Sequence, residues 1–148
     1  MILALQRVSR ASVKVAGETV ATIGRGLLVF GCIEPGDGAD SVDQAAVKTV
    51  ELRIFEDEGG KMNRSVIDTG GAILAVSQFT LGADLSRGRR PGFEGVAPFE
   101  EAEPLFNAYV ATIRAFGVPI STGVFRSRME VELVNEGPAT FFWRTPGR

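Results

Sequence analysis

The chain has 148 residues, 45% of them hydrophobic and 23% charged, with a formal net charge of −2. That length suits a single domain, expected to span 1–148, and no apolar run approaches the ~20 residues needed to cross a bilayer. With no histidine and one cysteine, it can form neither a Ser-His-Asp triad nor a Cys-His dyad, nor a His- or thiolate-ligated zinc site.

The start of the chain, Met1-Ile2-Leu3-Ala4-Leu5-Gln6-Arg7, has no basic leader followed by a long apolar stretch, so no signal peptide is expected. Segments 2–8, 12–15 and 19–23 are apolar or alternating and rich in β-branched residues, which predicts strands. Ala16-Gly17-Glu18 predicts a hairpin turn between the last two. Residues 26–33 form a continuous apolar run, as in a central strand, and hold Cys32. A lone thiol there can make no internal disulfide and is expected to be buried; with no membrane-length apolar run and no signal peptide expected, a cytoplasmic location follows. Pro35-Gly36-Asp37-Gly38 predicts a loop. Val42, Ala46 and Val50 then share a helical face that Asp40 or Ser41 can cap. Residues 52–55 predict a short strand, and 73–79 a longer one. Residues 82–98, rich in Gly, Arg and Pro, predict a long loop of the kind that is often functional.

A second helix is expected from about Pro98 or Glu103 to Phe116, with Leu105, Tyr109, Ile113 and Phe116 on one stripe and Pro104 in its first turn. Segments 118–122, 129–134 and 139–144 predict closing strands. Two helices among many strands joined by short turns indicate an α+β fold with mainly antiparallel sheet.

Few residues invite chemistry. Gly24-Arg25-Gly26 lacks the spacing of a dinucleotide fingerprint, and Gly59-Gly60-Lys61 that of a phosphate loop. Asp57-Glu58 sits in a turn, and Glu100, Glu101 and Glu103 begin a helix, where acidic side chains favour the dipole. Neither set is expected to bind metal. Thirteen of the sixteen cations are arginine, and Arg87, Arg89 and Arg90 fall in the long loop. Guanidinium groups suit phosphates, although a solvated loop is the simpler reading. Ser77-Gln78-Phe79-Thr80-Leu81 ends an apolar strand with hydroxyls and an amide, whether to cap an edge or to face a ligand. Asn135-Glu136-Gly137-Pro138-Ala139-Thr140 sets Gly-Pro between two strands, either as a plain turn or as a held backbone elbow.

Taken together, these two strings resemble the signature motifs of the bacterial-type D-aminoacyl-tRNA deacylases (formerly D-tyrosyl-tRNA deacylases). The resemblance extends along the chain in family order. It includes Leu5-Gln6-Arg7-Val8-Ser9-Arg10-Ala11-Ser12-Val13, Gly26-Leu27-Leu28-Val29, Leu52-Arg53-Ile54-Phe55-Glu56-Asp57, Gly60-Lys61-Met62-Asn63 and Gly88-Arg89-Arg90-Pro91.

The resemblance implies a barrel-like core and hydrolysis of the ester joining a D-amino acid, or mischarged glycine, to the terminal adenosine of tRNA. It implies no cofactor and no metal, and a homodimer with its sites at the interface. Each site would combine Ser77, Gln78, Phe79 and Thr80 of one subunit with a cis Gly137-Pro138 of the other. The main-chain carbonyls of that elbow would take the substrate's α-amino group and exclude L side chains by collision. Gln78 and Phe79 would seat the adenosine, Met129 would line the pocket, and Arg7 would brace the Gly-Pro segment, while Arg87, Arg89 and Arg90, on charge rather than on the family motif, are expected to meet acceptor-stem phosphates of the tRNA. Either Thr80 is the nucleophile, or the ribose 2′-hydroxyl or a water it positions attacks while amides near Phe79 and Thr80 hold the oxyanion. The second account is preferred because it needs no titratable side chain. A non-catalytic tRNA 3′-end binding module and a small-molecule esterase are the competing readings. The chain departs from the family pattern at Arg126-Ser127-Arg128, where Gly or Ala, then Ala, then Asp are common. Glu136 replaces a usual Asp and Ala139 a usual Val. Gly82, where a larger residue is frequent, is expected to loosen the adenosine side.

Overall fold

In the computed structural model, which describes residues 1–147, one long strand organises the molecule. β1 (Ile2–Val15) runs unbroken where the sequence predicts two strands. The apparent gap at Ser9 and Arg10 marks a change of partner. Up to Val8 the strand pairs with β3 (Gly26–Cys32), and from Ala11 it pairs with β2 (Glu18–Ile23), both antiparallel. Ala16 and Gly17 form the tight turn, both at positive φ.

The other edge of β1 carries β8 (Glu130–Arg144), again one continuous strand rather than two. Its Gly-Pro does not end it. Gln6 faces Thr140 and Val8 faces Asn135, so residues 136–139 bulge out of the ladder, and a smaller register shift follows between Val8 and Arg10.

The sheet is mixed. β3 pairs in parallel with β6 (Ala72–Ser77), and β6 in parallel with β7 (Ile120–Thr122). Parallel neighbours need crossovers, supplied by α1 (Ala39–Glu51) and α2 (Phe99–Ala115). The antiparallel ladders remain the majority, and the sheet curls until it nearly closes as a barrel. Alternation decides what each face meets. Leu3, Leu5, Leu27, Val29, Ile73 and Ala75 pack against the two helices. Val8, Val13, Leu28, Leu74 and Val76 fill the barrel, where Val131 from β8 and Met129 just before it close over them.

Several boundaries differ from expectation for local reasons. Segment 52–54 is not strand; the pairing is between β4 (Phe55–Glu56) and β5 (Met62–Arg64). β6 stops at Ser77, and Phe79–Gly82 forms a 3-10 turn. Gly38, not Asp40 or Ser41, caps α1. Pro104 lies within α2, beyond its first turn. Pro104 and Glu100 are both exposed, so the proline, which has no N–H to donate, sits on the solvent side of the helix. The buried stripe of α2 is Ala102, Phe106, Tyr109, Val110 and Ile113, and Phe116 is exposed. Tyr109 shares a 2.7 Å hydrogen bond with Thr49 of α1, joining the helices.

Candidate active site

The end of β6 opens into a cleft of about 270 Å³ lined by Ser77, Gln78 and Phe79, by Phe99 and Phe125, and by residues 126–129. Its position follows from the chain's change of structure at Ser77. The Gln78 amide still bonds the Gly31 carbonyl at 2.8 Å, after which the backbone leaves the sheet. The first bond of the 3-10 turn runs from the Leu81 amide to the Gln78 carbonyl. The Phe79 and Thr80 amides precede it, and no acceptor among the described residues takes them. Thr80 is exposed and lies outside the cleft lining, its hydroxyl hydrogen-bonded by the Gln78 side-chain amide.

Beneath the turn, Cys32 donates to the Phe79 carbonyl at 3.5 Å, and burial raises its pKa to about 11. The thiol is therefore protonated at neutral pH and acts as packing. Gly82 does not loosen this side, contrary to expectation. A Cβ there would fall 2.9 Å from Val96 Cγ2 and 3.2 Å from Cys32 Sγ, so glycine is what lets the 82–98 loop close on the turn.

Aromatic rings make the walls. Phe79 lies 5.2 Å from Phe93 and 5.7 Å, edge-on, from Phe99, which in turn meets Phe125 at 6.2 Å. Met129 forms part of the lining, and Gly123 sets its position, because a Cβ at Gly123 would come within 2.5 Å of Met129 Sδ. Phe93, Phe99, Phe125 and Gly123 carry no local signal in the sequence. Phenylalanines at a helix start or in a loop read there as core, and only the closure of the barrel gathers them.

Arg87, Arg89 and Arg90 occupy the exposed tip of a loop pinned by the Asp84–Gly92 bridge, away from the cleft lining. Hydrogen bonds from the Ser86 side chain and amide hold the Asp84 carboxyl below the usual range.

The second motif lies elsewhere. The Gly137–Pro138 peptide is cis, Gly137 has φ +134°, and both residues are exposed. Asn135 ties the bulge shut: its Oδ1 accepts from the Ala139 amide at 2.7 Å and its Nδ2 donates to Thr140 Oγ1 at 2.9 Å. Arg7, buried at 3% exposure, donates to the Glu136 carbonyl at 3.0 Å and to the Ile54 carbonyl at 2.7 Å. It thus fixes the bulge to the loop before β4. Ser77 is level with Gly31 and Leu3, whereas the bulge lies at Arg7, four residues along β1 and three strands across. At about 3.3 Å per residue and 4.8 Å per strand, the two motifs stand about 20 Å apart along the sheet. A single chain does not bring them together.

A larger groove, of about 600 Å³, runs along the outside of α1 beside Trp143 and holds none of these residues. The motif cleft is lined by no carboxylate, thiol or imidazole. Among the described residues no cluster of three His, Cys, Asp or Glu could hold a metal ion, and no helix is long and apolar enough to cross a membrane.

Fold and cleft together define a class: a small α+β barrel with an aromatic, arginine-rimmed cleft at a strand end and no side-chain base within it. Residues 4–144 match the family described as D-Tyr-tRNA(Tyr) deacylase. A D-aminoacyl-tRNA deacylase of Thermodesulfovibrio yellowstonii is 50% identical over 145 residues, covering 98% of this chain and 99% of that one. One from Cereibacter sphaeroides is 54% identical over 138 residues, covering 93% and 95%. A solved structure described as c-Myc DNA Unwinding Element Binding Protein superposes with a TM-score of 0.95 at 39% identity, covering 99% of this chain and 100% of that one. A second, of a probable eukaryotic D-amino acid tRNA deacylase, has a TM-score of 0.81 at 18% identity, covering 96% and 97%, and speaks for the fold alone. The chain belongs to the D-Tyr-tRNA(Tyr) deacylase family.

Proposed function

We propose that the protein hydrolyses the ester linking a D-amino acid to the 3′-terminal adenosine of tRNA, releasing the free D-amino acid and tRNA in the cytoplasm. Family membership supports the reaction class. The observation that carries the mechanism is the separation of the two motifs. A rigid, exposed cis Gly-Pro elbow and a histidine-free strand-end cleft lie about 20 Å apart along the sheet of one chain, so a working site takes its elbow from a second copy. The sheet face left bare of helices carries Phe142, 66% exposed, beside Ala4 and suits that second copy.

In this site the adenosine enters between Gln78, Phe79 and Met129, and the Gly137 and Pro138 carbonyls of the partner hold the substrate's α-ammonium group. With that group fixed, an L side chain runs into main chain while a D side chain points outward. Glycine has no side chain to exclude, so glycyl-tRNA is also a substrate. Water, positioned by the ribose 2′-hydroxyl, adds to the ester carbonyl. The oxyanion meets the Phe79 and Thr80 amides; a donor of this kind is worth roughly 3–4 kcal/mol. The bond from the acyl carbon to the ribose 3′-oxygen then breaks, and that oxygen takes the proton. Thr80 orients Gln78 rather than attacking, since no base stands beside it.

Deacylation of matched D- and L-aminoacyl-tRNA by one preparation tests the reading: D is cleaved, L is not, chelators change nothing, and Thr80→Ala keeps substantial activity. A tRNA ending in 2′-deoxyadenosine should be nearly inert. Mixing a Gly137→Val variant with a Gln78→Ala variant should restore activity, because one of the mixed dimer's two sites is intact. Binding without release of amino acid would instead make the protein a tRNA-end binding module.

A further inference from the structure

We propose that Arg126 and Arg128 form a phosphodiester-binding rim on the cleft, gripping the single-stranded 3′ backbone of the tRNA next to its terminal adenosine. This rests on the deacylase reading of the cleft and adds a binding element to it. Both arginines line the same cleft as Gln78 and Phe79. Arg128 also lines the adjoining cleft of about 420 Å³, which contains Lys14. Three cations thus follow one path out of the cleft, with Glu130 as the acidic residue on the second lining.

Neither arginine forms an ion pair among the described residues, whereas Arg7, Arg10, Arg25, Arg64 and Arg144 each do. Arg126 holds φ +61°, a conformation that side-chain-bearing residues seldom adopt, and it does so at the mouth of the cleft. Its Cζ lies 4.8 Å over the ring of Phe99, which itself stands edge-on to Phe79. A guanidinium stacked on a ring has one face covered and its N–H donors in the plane, the geometry that donates to two phosphate oxygens at once. The aromatic wall and the cations therefore act on adjacent parts of one ligand, a base and its phosphate.

The test is binding of a fluorescein-labelled RNA hairpin with a single-stranded 3′-ACCA end, followed by anisotropy between 50 mM and 1 M KCl. Loss of two single-strand contacts should lower the slope of log K against log salt by about 1.4, or about 70-fold weaker binding at 50 mM, converging near 1 M. The double variant Arg126→Gln/Arg128→Gln should show this. Arg126→Gly, which suits the positive φ, should lose its share of the slope with no loss of melting temperature, separating binding from folding. Arg10→Gln/Arg114→Gln, an equal charge change away from the cleft, should alter binding by less than threefold. An unchanged slope in the double variant, or equal affinity for a blunt-ended hairpin, overturns the rim. If deacylation of D-aminoacyl-tRNA proceeds while the slope is unchanged, the rim alone falls. If no amino acid is released yet the slope drops as expected, the deacylase reading falls and the rim belongs to an RNA-end binder.

Discussion

Replacing Arg7 by Met is the perturbation whose cost the structure lets us work out most fully. The guanidinium is almost fully buried and gives two hydrogen bonds to main-chain carbonyls, of Glu136 at 3.0 Å and Ile54 at 2.7 Å. Hydrogen bonds from a charged group contribute about 1.5–3 kcal/mol each, and both carbonyls would be left without a partner. The ion pair with Glu56, at 3.9 Å and half exposed on the acidic side, adds little. Met recovers much of the aliphatic packing and removes the cost of burying a charge. The balance is a destabilisation of about 3 kcal/mol, or about 6–12 °C in melting temperature for a chain of this size. Urea unfolding at fixed protein concentration measures it, the concentration held because association would itself stabilise the fold. At a temperature where the variant stays folded, deacylation should fall by at least about tenfold, since the Gly137-Pro138 bulge has lost its anchor and tolerates little misplacement. A destabilisation below 1 kcal/mol, or full activity in the folded variant, would refute the view that Arg7 holds the elbow.

Three other outcomes are expected. Gly123→Ala must push Met129 Sδ away from a Cβ that would sit 2.5 Å from it. With Met129 driven into the cleft, KM should rise about tenfold or more at a cost of about 1–3 kcal/mol in stability, read by steady-state kinetics and thermal melting. Asn135→Ala opens the bulge by removing the acceptor of the Ala139 amide; kcat should fall while binding of the RNA hairpin stays the same. Cys32, with its thiol at about 11 against 9.0 for the free group, should resist alkylation at pH 8 in the native protein. Because the unfolded thiol ionises first, stability should decline between these two values and be unaffected by this group below them, as measured by urea midpoints across pH.

How far the strands could be read from sequence depended on what each apparent break meant. Ser9-Arg10 and Gly137-Pro138 both interrupt an alternating pattern, and locally each looks like the end of a strand. In the folded chain the first is a change of partner and the second a bulge, because β1 pairs with β8 on both sides of each interruption. Such pairing is non-local, so no window of sequence reveals it. The same holds for the parallel ladders of β6, which depend on two helical crossovers that composition does not orient.

What the residues determined unaided was chemical. Without histidine, the protein has no side chain whose ordinary pKa lies near neutrality, whatever its shape. The hydroxyl-amide string at 77–81 and the Gly-Pro string at 135–140 could be located from type and spacing alone. Tertiary structure decided the rest. It bent β6 out of the sheet so that two amides lack acceptors, gathered four distant phenylalanines and Met129 around them, and placed Arg126 over Phe99. It also set the two motifs about 20 Å apart on one sheet. The reason is geometric: strand pairing transmits position across tens of ångströms, whereas sequence pattern specifies only which face a residue turns to.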